Sequence, residues 1–194
     1  MTNPEDILAY WLDEMGPENW YKGGDALDQE IRDKYLIAWQ ETMDGCNSLW
    51  LTHASGTLAY IILTDQFSRN IFRDTDRAFA SDKLARAAAK SAISKGWDLR
   101  IEGTARQFFY TPLLHSENLC DQDRCVRLMK TRMDDPNGLN LLHAKAHREI
   151  IRQFGRFPFR NKALSRTSTP QETAFIQDGG YGHIVEALKA KIAA

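Results

Sequence analysis

The sequence predicts an all-α fold of antiparallel helix hairpins, and three observations support this prediction. Apolar residues recur three or four positions apart in one segment after another, which is the spacing of one face of an α-helix. Helix start and stop signals flank these segments. No stretch shows the sustained alternation of apolar and polar residues that a half-buried strand would require. We therefore expect helices of about 10 to 18 residues that are joined by short loops.

The composition fits a single domain over residues 1–194, since a chain of this length buries roughly two-thirds of its unfolded surface. The formal net charge of −1 and the pI near 6.5 argue against non-specific nucleic-acid binding, which needs a basic domain. No apolar run reaches the roughly 18 residues that cross a bilayer, and the first residues do not resemble a signal peptide. We expect a cytoplasmic protein without a membrane partner.

The three cysteines, Cys46, Cys120 and Cys125, are an odd number and form no CxxC pair. This pattern favours reduced thiols in a reducing compartment. A zinc site of Cys120, Cys125 and a histidine does not follow the usual ligand spacing. We therefore expect no metal and no cofactor.

The N-terminal segments carry helix signals at both ends. Asn3 is predicted to cap the first helix, and Gly16-Pro17 ends it. Asp25 starts the second helix, which ends near Gly45. Ser55 is predicted to cap the central helix that follows.

A run of alanines, Ala85, Ala88, Ala89 and Ala92, predicts a helix that a neighbouring helix can approach closely. Such small-residue faces are typical of tetratricopeptide helices, although no 34-residue period repeats in this chain. We expect the hairpins to stack in an irregular, tetratricopeptide-like right-handed array.

Five further helical segments are predicted after this one. Three of them are Glu102–Tyr110, Glu117–Met133 and Leu139–Phe154, and Thr169 begins the fourth through a capping box. The fifth is amphipathic, and its apolar face contains Ile184, Leu188 and Ile192.

The central stretch Leu58–Arg73 is predicted to be a helix whose second half has polar residues on the same face that is apolar in its first half. One stripe of this predicted helix is made of Leu58, Ile61, Ile62, Asp65, Arg69 and Phe72. A carboxylate and a guanidinium therefore replace aliphatic side chains at positions that face the core. Burying a charge is costly unless it is paired and hydrogen-bonded, so these two side chains need polar partners.

Several motifs in this chain resemble the bacterial domain-of-unknown-function family 924. They are Tyr10-Trp11, Asp65–Asn70, Ala78–Asp82, Phe108–Glu117 and His147–Asn161, and they extend over nearly the whole chain. Thr64 departs from the aliphatic residue expected before Asp65. The resemblance implies a helical, tetratricopeptide-like protein and no established activity.

The polar residues of these motifs form the predicted site. Asp65 and Arg69 are four apart, as are Gln66 and Asn70, so each pair shares a helix ridge. His143 and His147 are also four apart, but the pattern lacks the glutamate of a zinc-binding His-Glu-x-x-His motif. Arginines recur at Arg148, Arg152, Arg156 and Arg160, although Gly155 and Pro158 break the helix before the last one.

Arginine forks suit carboxylates and phosphates, so two interpretations of these residues stay open. In one, the arginines pair internally with Asp65, Glu117 and helix carbonyls. In the other, one or two of them bind an anion. Arg160 follows Pro158 in a turn, where we expect its side chain to avoid deep burial.

The functional hypothesis is a helical binding module for an anionic small molecule or an acidic peptide. Its ligand-binding candidates are Gln66, Arg69, Asn70, Arg73, Arg152, Arg156, Arg160 and Asn161. A hydrolase or transferase acting on a phosphorylated or carboxylated substrate is the alternative, with catalytic candidates Asp65, His115, Glu117 and His147. The chain lacks a phosphate-binding glycine loop and a nucleophile elbow, which weakens this alternative. A purely structural scaffold is the third possibility, and the sequence does not predict an oligomeric state.

Overall fold

The computed structural model describes residues 2–193, and every regular element in this range is a helix, as the sequence predicts. The α-helices are α1 (Pro4–Leu8), α2 (Asp25–Met43), α3 (Ala54–Ile61), α4 (Ser68–Ile71), α5 (Asp82–Ser94), α6 (Thr111–Leu114), α7 (Leu119–Arg132), α8 (Leu139–Phe154), α9 (Pro170–Gln177) and α10 (Gly180–Ala193). π-Helices cover Ala9–Met15 and Ile62–Phe67, and 3₁₀-helices cover Ser48–Thr52, Asp76–Phe79, Asp98–Arg100, Gly103–Phe109 and Pro158–Arg160.

The chain forms two compact units, Met1–Pro112 and Leu113–Ala194. Within residues 2–193, we find no helix that combines the length and apolar character needed to cross a bilayer. The single-domain expectation and the tetratricopeptide-like stacking stay predictions.

The first unit begins with the predicted cap. The Asp6 amide donates to Asn3 Oδ1 at 2.8 Å, and the Asn3 amide donates to the Asp6 carboxylate at 3.1 Å. This reciprocal capping box satisfies two amides that the start of a helix leaves without partners. Gly16 then ends the helical run at a φ of +68°, a conformation that glycine adopts without steric cost.

The central helix of the first unit consists of α3, the π-helix Ile62–Phe67 and α4 in direct succession. Helix α3 packs against α1 and α5, while α2 packs against α4 and the π-helix. Gly56 lets the start of α3 approach the preceding 3₁₀-helix closely. A Cβ at this position would lie only 2.5 Å from the carbonyl oxygen of Trp50.

Buried hydroxyl groups support the π-helix. Ser68 Oγ and Ser81 Oγ donate to the carbonyl oxygen of Thr64 at 3.0 and 2.6 Å. Trp39 Nε1 donates in turn to Ser81 Oγ at 3.1 Å. Because a π-turn disrupts the regular α-helical hydrogen-bond ladder, these hydroxyls satisfy a carbonyl at the irregularity. The sequence pattern does not reveal this departure from α-helical geometry.

Phe67, in the middle of the Asp-Gln-Phe-Ser-Arg-Asn motif, belongs to the core. It is fully buried, and its ring centroid lies 4.7 Å from that of Tyr35 and 5.3 Å from that of Trp11. Aromatic pairs at such distances stabilise a core beyond the area that they bury. This part of the motif therefore serves packing.

The second unit is built around α8. Helix α7 packs along α8, and the loop between them ends at Gly138 with a φ of +63°. The Asp135 carboxylate caps α8 by accepting the amides of Leu139, Asn140 and Leu141. Helix α10 covers α8 through a small apolar core of Leu142, Ala146, Val185, Tyr181, Ile184 and Leu188.

Thr169 and Glu172 form the predicted capping box of α9. The Glu172 amide donates to Thr169 Oγ1 at 3.2 Å, and the Thr169 amide donates to Glu172 Oε2 at 2.7 Å. No disulfide joins cysteines in the described part of the chain. Cys46 and Cys120 are exposed there, and Cys125 is buried.

Two local predictions are wrong. Ser55 does not cap the central helix, because α3 already begins at Ala54 after the extended residue His53. The segment predicted as an α-helix over Glu102–Tyr110 is the 3₁₀-helix Gly103–Phe109, whose bulky aromatic residues are drawn into the core. The predicted apolar position Ile192 has a side chain outside the described part of the structure.

Candidate functional site

Asp65 lies in the π-helix of the first unit, and its side chain is fully buried. Gln66 Nε2 donates to Asp65 Oδ2 at 2.5 Å and also lies 3.3 Å from Thr111 Oγ1. Gln66 therefore holds the carboxylate and ties the π-helix to the start of α6. The prediction of a buried carboxylate with polar partners is confirmed.

Arg69 pairs with Asp82, a carboxylate that is not among the predicted site residues. Its Nη2 lies 2.6 Å from Asp82 Oδ1 and 3.9 Å from Asp65 Oδ1, and its Nη1 donates to the carbonyl of Ala78. The guanidinium also lies 4.6 Å from the ring centroid of Phe79. Asp82 is therefore the closer ion-pair partner, and the Asp65–Arg69 contact is at the limit of an ion pair.

Asn70 and Arg73 converge on a second buried carboxylate, Asp28 of α2. Asn70 Nδ2 donates to Asp28 Oδ1 at 2.8 Å, and Arg73 donates to both carboxylate oxygens through Nε and Nη2. Burial raises the pKa of Asp28, but the hydrogen bonds from Arg73 and Asn70 outweigh it and hold the pKa below its ordinary value. Both predicted ligand-binding residues thus have an internal partner.

Glu117 lies in the second unit just before α7, not in its first turn as predicted. Its carboxylate forms a two-pronged pair with Arg166, at 2.8 and 3.0 Å, and accepts the amide of Phe157 at 2.8 Å. Burial raises the pKa of Glu117, yet the hydrogen bonds from Arg166 and Phe157 hold it below its ordinary value. Glu117 is therefore poorly suited to act as a general base at neutral pH.

Arg156 and Asn161 converge on Glu172. Arg156 donates to both Glu172 oxygens at 2.5 and 2.8 Å, and Asn161 Nδ2 lies 3.3 Å from Glu172 Oε2. The hydrogen bonds from Arg156 and from the Thr169 amide lower the pKa of Glu172 to about 2. Arg156 and Asn161 thus fix the loop between α8 and α9.

Arg160 is the residue whose predicted exposure is wrong. Only 7% of its surface is exposed, because the 3₁₀-helix that starts at Pro158 turns the side chain inward. Its guanidinium lies 4.4 Å from the ring centroid of Phe157, and its Nη1 donates to the carbonyl of His115 at 3.0 Å. This buried arginine lies next to two histidines of the second unit.

His147 on α8 is the second member of this group. Its Nδ1 donates to the carbonyl of His143 at 2.9 Å, and its ring centroid lies 5.5 Å from that of Phe157 and 6.3 Å from that of His115. Burial is the largest of the effects that lower the pKa of His147 to about 3, and the neighbouring His115 and Arg160 add to it. His147 is therefore neutral at physiological pH, although part of its surface remains exposed.

Tyr181 of α10 completes the surroundings of His147. Its hydroxyl lies 2.5 Å from His143 Nδ1, and its ring meets the ring of His147 at a centroid distance of 4.9 Å. Burial lowers the pKa of His143 and raises that of Tyr181, so both are neutral near pH 7. We refer to His115, His147 and Arg160 as the basic cluster.

Comparison with known proteins assigns the chain to a family. The family model described as "Bacterial protein of unknown function (DUF924)" matches residues 7–180. The chain belongs to this family. The DUF924 chain also resembles the solved structure of a protein of unknown function from Agrobacterium tumefaciens. The two are 36% identical, the match covers 90% of this chain and 97% of that one, and the TM-score is 0.84. The search of curated proteins gave no match.

The predicted site residues of the DUF924 protein are divided between its two units. Asp65, Gln66, Arg69, Asn70 and Arg73 belong to the first, and the second contains His115, Glu117, His147, Arg152, Arg156, Arg160 and Asn161. Convergence on one site, which the sequence predicts for Asp65, Arg69, His115, Glu117, His147, Arg156 and Arg160, stays a prediction.

Arg152 stands apart from the other predicted site residues of the DUF924 protein. It is exposed on α8 and forms no hydrogen bond or ion pair with any described residue. It is five residues from His147, so it lies about 140° away around the helix. Arg152 therefore does not belong to the basic cluster.

The absence of a metal centre is an expectation from the sequence. In residues 2–193 no group of three histidine, cysteine or acidic side chains is arranged to hold a metal ion. The pair His143 and His147 in particular lacks a third ligand of these types in that range.

Sequence reasoning missed four acidic or basic partners, namely Asp28, Asp82, Arg166 and Glu172. Only Asp28 left a signal, because it precedes Ile31 and Tyr35 by three and seven positions on the buried face of α2. Glu172 is the carboxylate of the capping box that begins at Thr169, but nothing in its local pattern indicates Arg156.

Proposed function

We propose that the DUF924 protein is a binding module that holds a small anionic molecule or an acidic peptide terminus at the basic cluster. The observation that carries this proposal is that the buried Arg160 guanidinium and the His147 imidazole both pack against the Phe157 ring. The Phe157 ring lies 4.4 Å from the Arg160 guanidinium and 5.5 Å from the His147 ring. A weakly hydrated arginine in such surroundings is the side chain best suited to bind a carboxylate or a phosphate.

The charge of the second unit is compatible with an anionic ligand. The positive charge of Arg160 lies close enough to Glu117 to lower the pKa of the Glu117 carboxyl group. The Glu117 oxygens also accept hydrogen bonds from Arg166 and from the Phe157 amide. Over Leu113–Ala194 the chain has 13 lysines and arginines against 9 acidic residues. This positive balance favours the approach of an anion.

The proposed ligand-binding set is smaller than the set predicted from sequence. Arg69, Arg73 and Arg156 each have an aspartate or glutamate partner within hydrogen-bond distance. An anion would have to compete with these carboxylates. Arg160 is the principal arginine of the proposal because its buried guanidinium packs against the Phe157 ring and lies close to His147.

Thermal denaturation with citrate, inorganic phosphate or an acidic peptide, each at matched ionic strength, tests this function. We expect at least one anion to raise the Tm of the wild type. Arg160→Gln should abolish the rise, whereas Arg152→Gln, which removes an exposed arginine from the same unit, should preserve it. If no anion stabilises the wild type, or if Arg160→Gln responds fully, the basic cluster is a structural feature.

A hydrolase or transferase acting on a phosphorylated or carboxylated substrate is the second candidate function. It is favoured by one observation, namely that the His143 carbonyl fixes His147 as the tautomer whose Nε2 accepts protons. A histidine with a pKa of about 3 is, however, a weak base at neutral pH. Turnover of phosphate or carboxylate esters that disappears in His147→Gln would favour the enzyme.

A further inference from the structure

Helix α10 is held to the second unit mainly by apolar contacts. It packs on α8 through the small apolar core that contains Leu142, Val185 and Leu188. The described side chains of α10 end at Lys191. Among them, the one hydrogen bond to another element joins the Tyr181 hydroxyl to Nδ1 of His143 at 2.5 Å. A helix with one polar contact and a small apolar interface is easier to detach than one that carries buried ion pairs.

The preceding helix, α9, is fixed more firmly. Glu172 accepts two hydrogen bonds from Arg156 and closes the capping box with Thr169. Gly179 and Gly180 lie where α9 passes into α10, with φ values of +96° and +54°. Because glycine adopts such values without steric cost and has the most backbone freedom, the chain can change direction at this point. Helix α10 can therefore leave α8 while α9 stays in place.

Two of the five histidines of the chain lie where α10 meets α8. The ring of Tyr181 is stacked on that of His143 at a centroid distance of 6.0 Å and meets that of His147 at 4.9 Å. Phe157 encloses His147 from another side at 5.5 Å. Part of the enclosure of both imidazoles is thus supplied by α10, and detachment of this helix exposes them to water.

The groups around His147 oppose its protonation while α10 is in place. They are His143 on the same helix, His115 after α6 and Arg160 in the 3₁₀-helix, together with the uncharged hydroxyl of Tyr181 on α10. Burial is the largest effect that lowers the pKa of His147 to about 3. A proton on this ring therefore favours any state in which α10 no longer covers it.

His143 has the same preference. Burial is the largest effect that lowers its pKa, and Lys189 of α10 adds to it, while Asp135 before α8 acts in the opposite direction. Lys189 is itself paired with Glu186 of the same helix at 2.7 Å. Protonation of His143 therefore also favours detachment of α10.

We propose that α10 is an acid-released helix: protonation of His143 and His147 detaches it from α8, while α7, α8 and α9 keep their folded structure. Release exposes Leu142 and Ala146 of α8, so acid turns a covered apolar helix face into an open one. No ligand takes part in this release, and it is independent of the proposed anion-binding function.

Hydrogen exchange of the backbone amides, followed by mass spectrometry at pH 7 and pH 5, tests this device. If release raises the pKa of His147 from about 3 to 6.5, the released state is up to about 25-fold more populated at pH 5 than at pH 7. Solvent already screens part of the ring, so we expect the protection factors of the α10 amides to fall about tenfold. At pH 5 the α7 amides should be at least about tenfold better protected than those of α10, because α7 stays folded on release.

A double variant with His143→Asn and His147→Asn removes both titrating rings and keeps a side-chain N–H at each position. Its α10 protection factors should change by less than about twofold between the two pH values. His183→Asn removes an exposed histidine of α10 itself and is the matched control. This control should keep the response of the wild type.

Equal protection of α10 and α7 at pH 5 would mean that α10 opens only when the whole unit unfolds, and this result overturns the proposal. Protection of α10 that does not depend on pH overturns it as well. So does a pH response of wild-type size in the folded double variant. The comparison of α10 with α7 in the wild type needs no variant, so it decides the question even where the substitutions impair folding.

Discussion

Replacing His147 with asparagine should reduce the acid sensitivity of the fold. The amide of asparagine has an N–H that can take the place of Nδ1–H toward the carbonyl of His143, but it does not titrate. In the folded protein the pKa of His147 is about 3, compared with 6.5 for an ordinary histidine. The unfolded chain therefore binds a proton at a pH at which the folded protein does not.

The sign and size of the effect follow from proton linkage. The pKa of His147 is lower in the folded protein than in the unfolded chain. Protonation of His147 therefore does not destabilise the fold above pH 6.5, and the free energy of unfolding decreases progressively as the pH falls from 6.5 toward 3. The maximum slope is about 1.4 kcal/mol per pH unit, which amounts to about 2 kcal/mol between pH 7 and pH 5. The partial exposure of the ring lets solvent screen the charge, so a loss of about 1–2 kcal/mol is the expected range.

Urea denaturation at half-unit steps from pH 7 to pH 5 measures this difference. His147→Asn is less stable at pH 7 because it loses ring packing, but its free energy of unfolding should fall less steeply than that of the wild type. His183→Asn, which removes an exposed histidine from the same unit, is the control for the loss of one imidazole. Parallel pH profiles for the wild type and His147→Asn would refute the argument that burial holds His147 neutral.

Three further predictions concern ion pairs and caps. Glu117→Gln and Arg166→Met should each lower the free energy of unfolding by about 2 kcal/mol, because the pair is two-pronged and mostly shielded from solvent. A double-mutant cycle measured by urea denaturation should show a coupling energy of about 1 kcal/mol or more between the two residues. Asp28→Ala should lower the free energy of unfolding by about 1–2 kcal/mol in the same assay, because Asn70 loses its buried acceptor while solvent screens the 43% exposed Arg73; a cost below about 0.5 kcal/mol would contradict this. Thr169→Ala should lower the free energy of unfolding by about 1 kcal/mol, whereas a substitution to serine should preserve the cap, as thermal denaturation would reveal.

The parts of the fold that sequence reasoning predicted are those with local causes. The caps at Asn3 and Thr169 depend on residues three positions away, and the structure contains both. The buried stripe through Asp65 depends on helical periodicity alone, and Asp65 is fully buried. In each case the signal and its consequence lie within about one or two helical turns.

The features that sequence reasoning missed depend on contacts between distant positions. Arg166 binds Glu117 across 49 positions, and Asp28 meets Arg73 across 45. No local sequence pattern predicts which carboxylate a given arginine will pair with in the folded protein. The same limit explains the misjudged exposure of Arg160, because one of the contacts of its buried side chain is the carbonyl of His115, 45 positions away.

Most charged residues of the DUF924 motifs are explained by their partners in the fold. Arg69, Glu117 and Arg156 each pair with an oppositely charged residue of another segment. These ion pairs hold segments of the fold together, and this structural role is sufficient to explain the charged residues that form them.

His147 is different, because its role in the fold does not require an imidazole. The single hydrogen bond that it donates, to the His143 carbonyl, is one that an amide side chain can also form. An imidazole held neutral by burial makes the fold more sensitive to acid, which an amide would not do. What the imidazole adds is a second ring nitrogen, which carries a lone pair because Nδ1 holds the proton. A donor supplied by a ligand gives that nitrogen a function, and for this reason the binding hypothesis explains His147 better than a scaffold does.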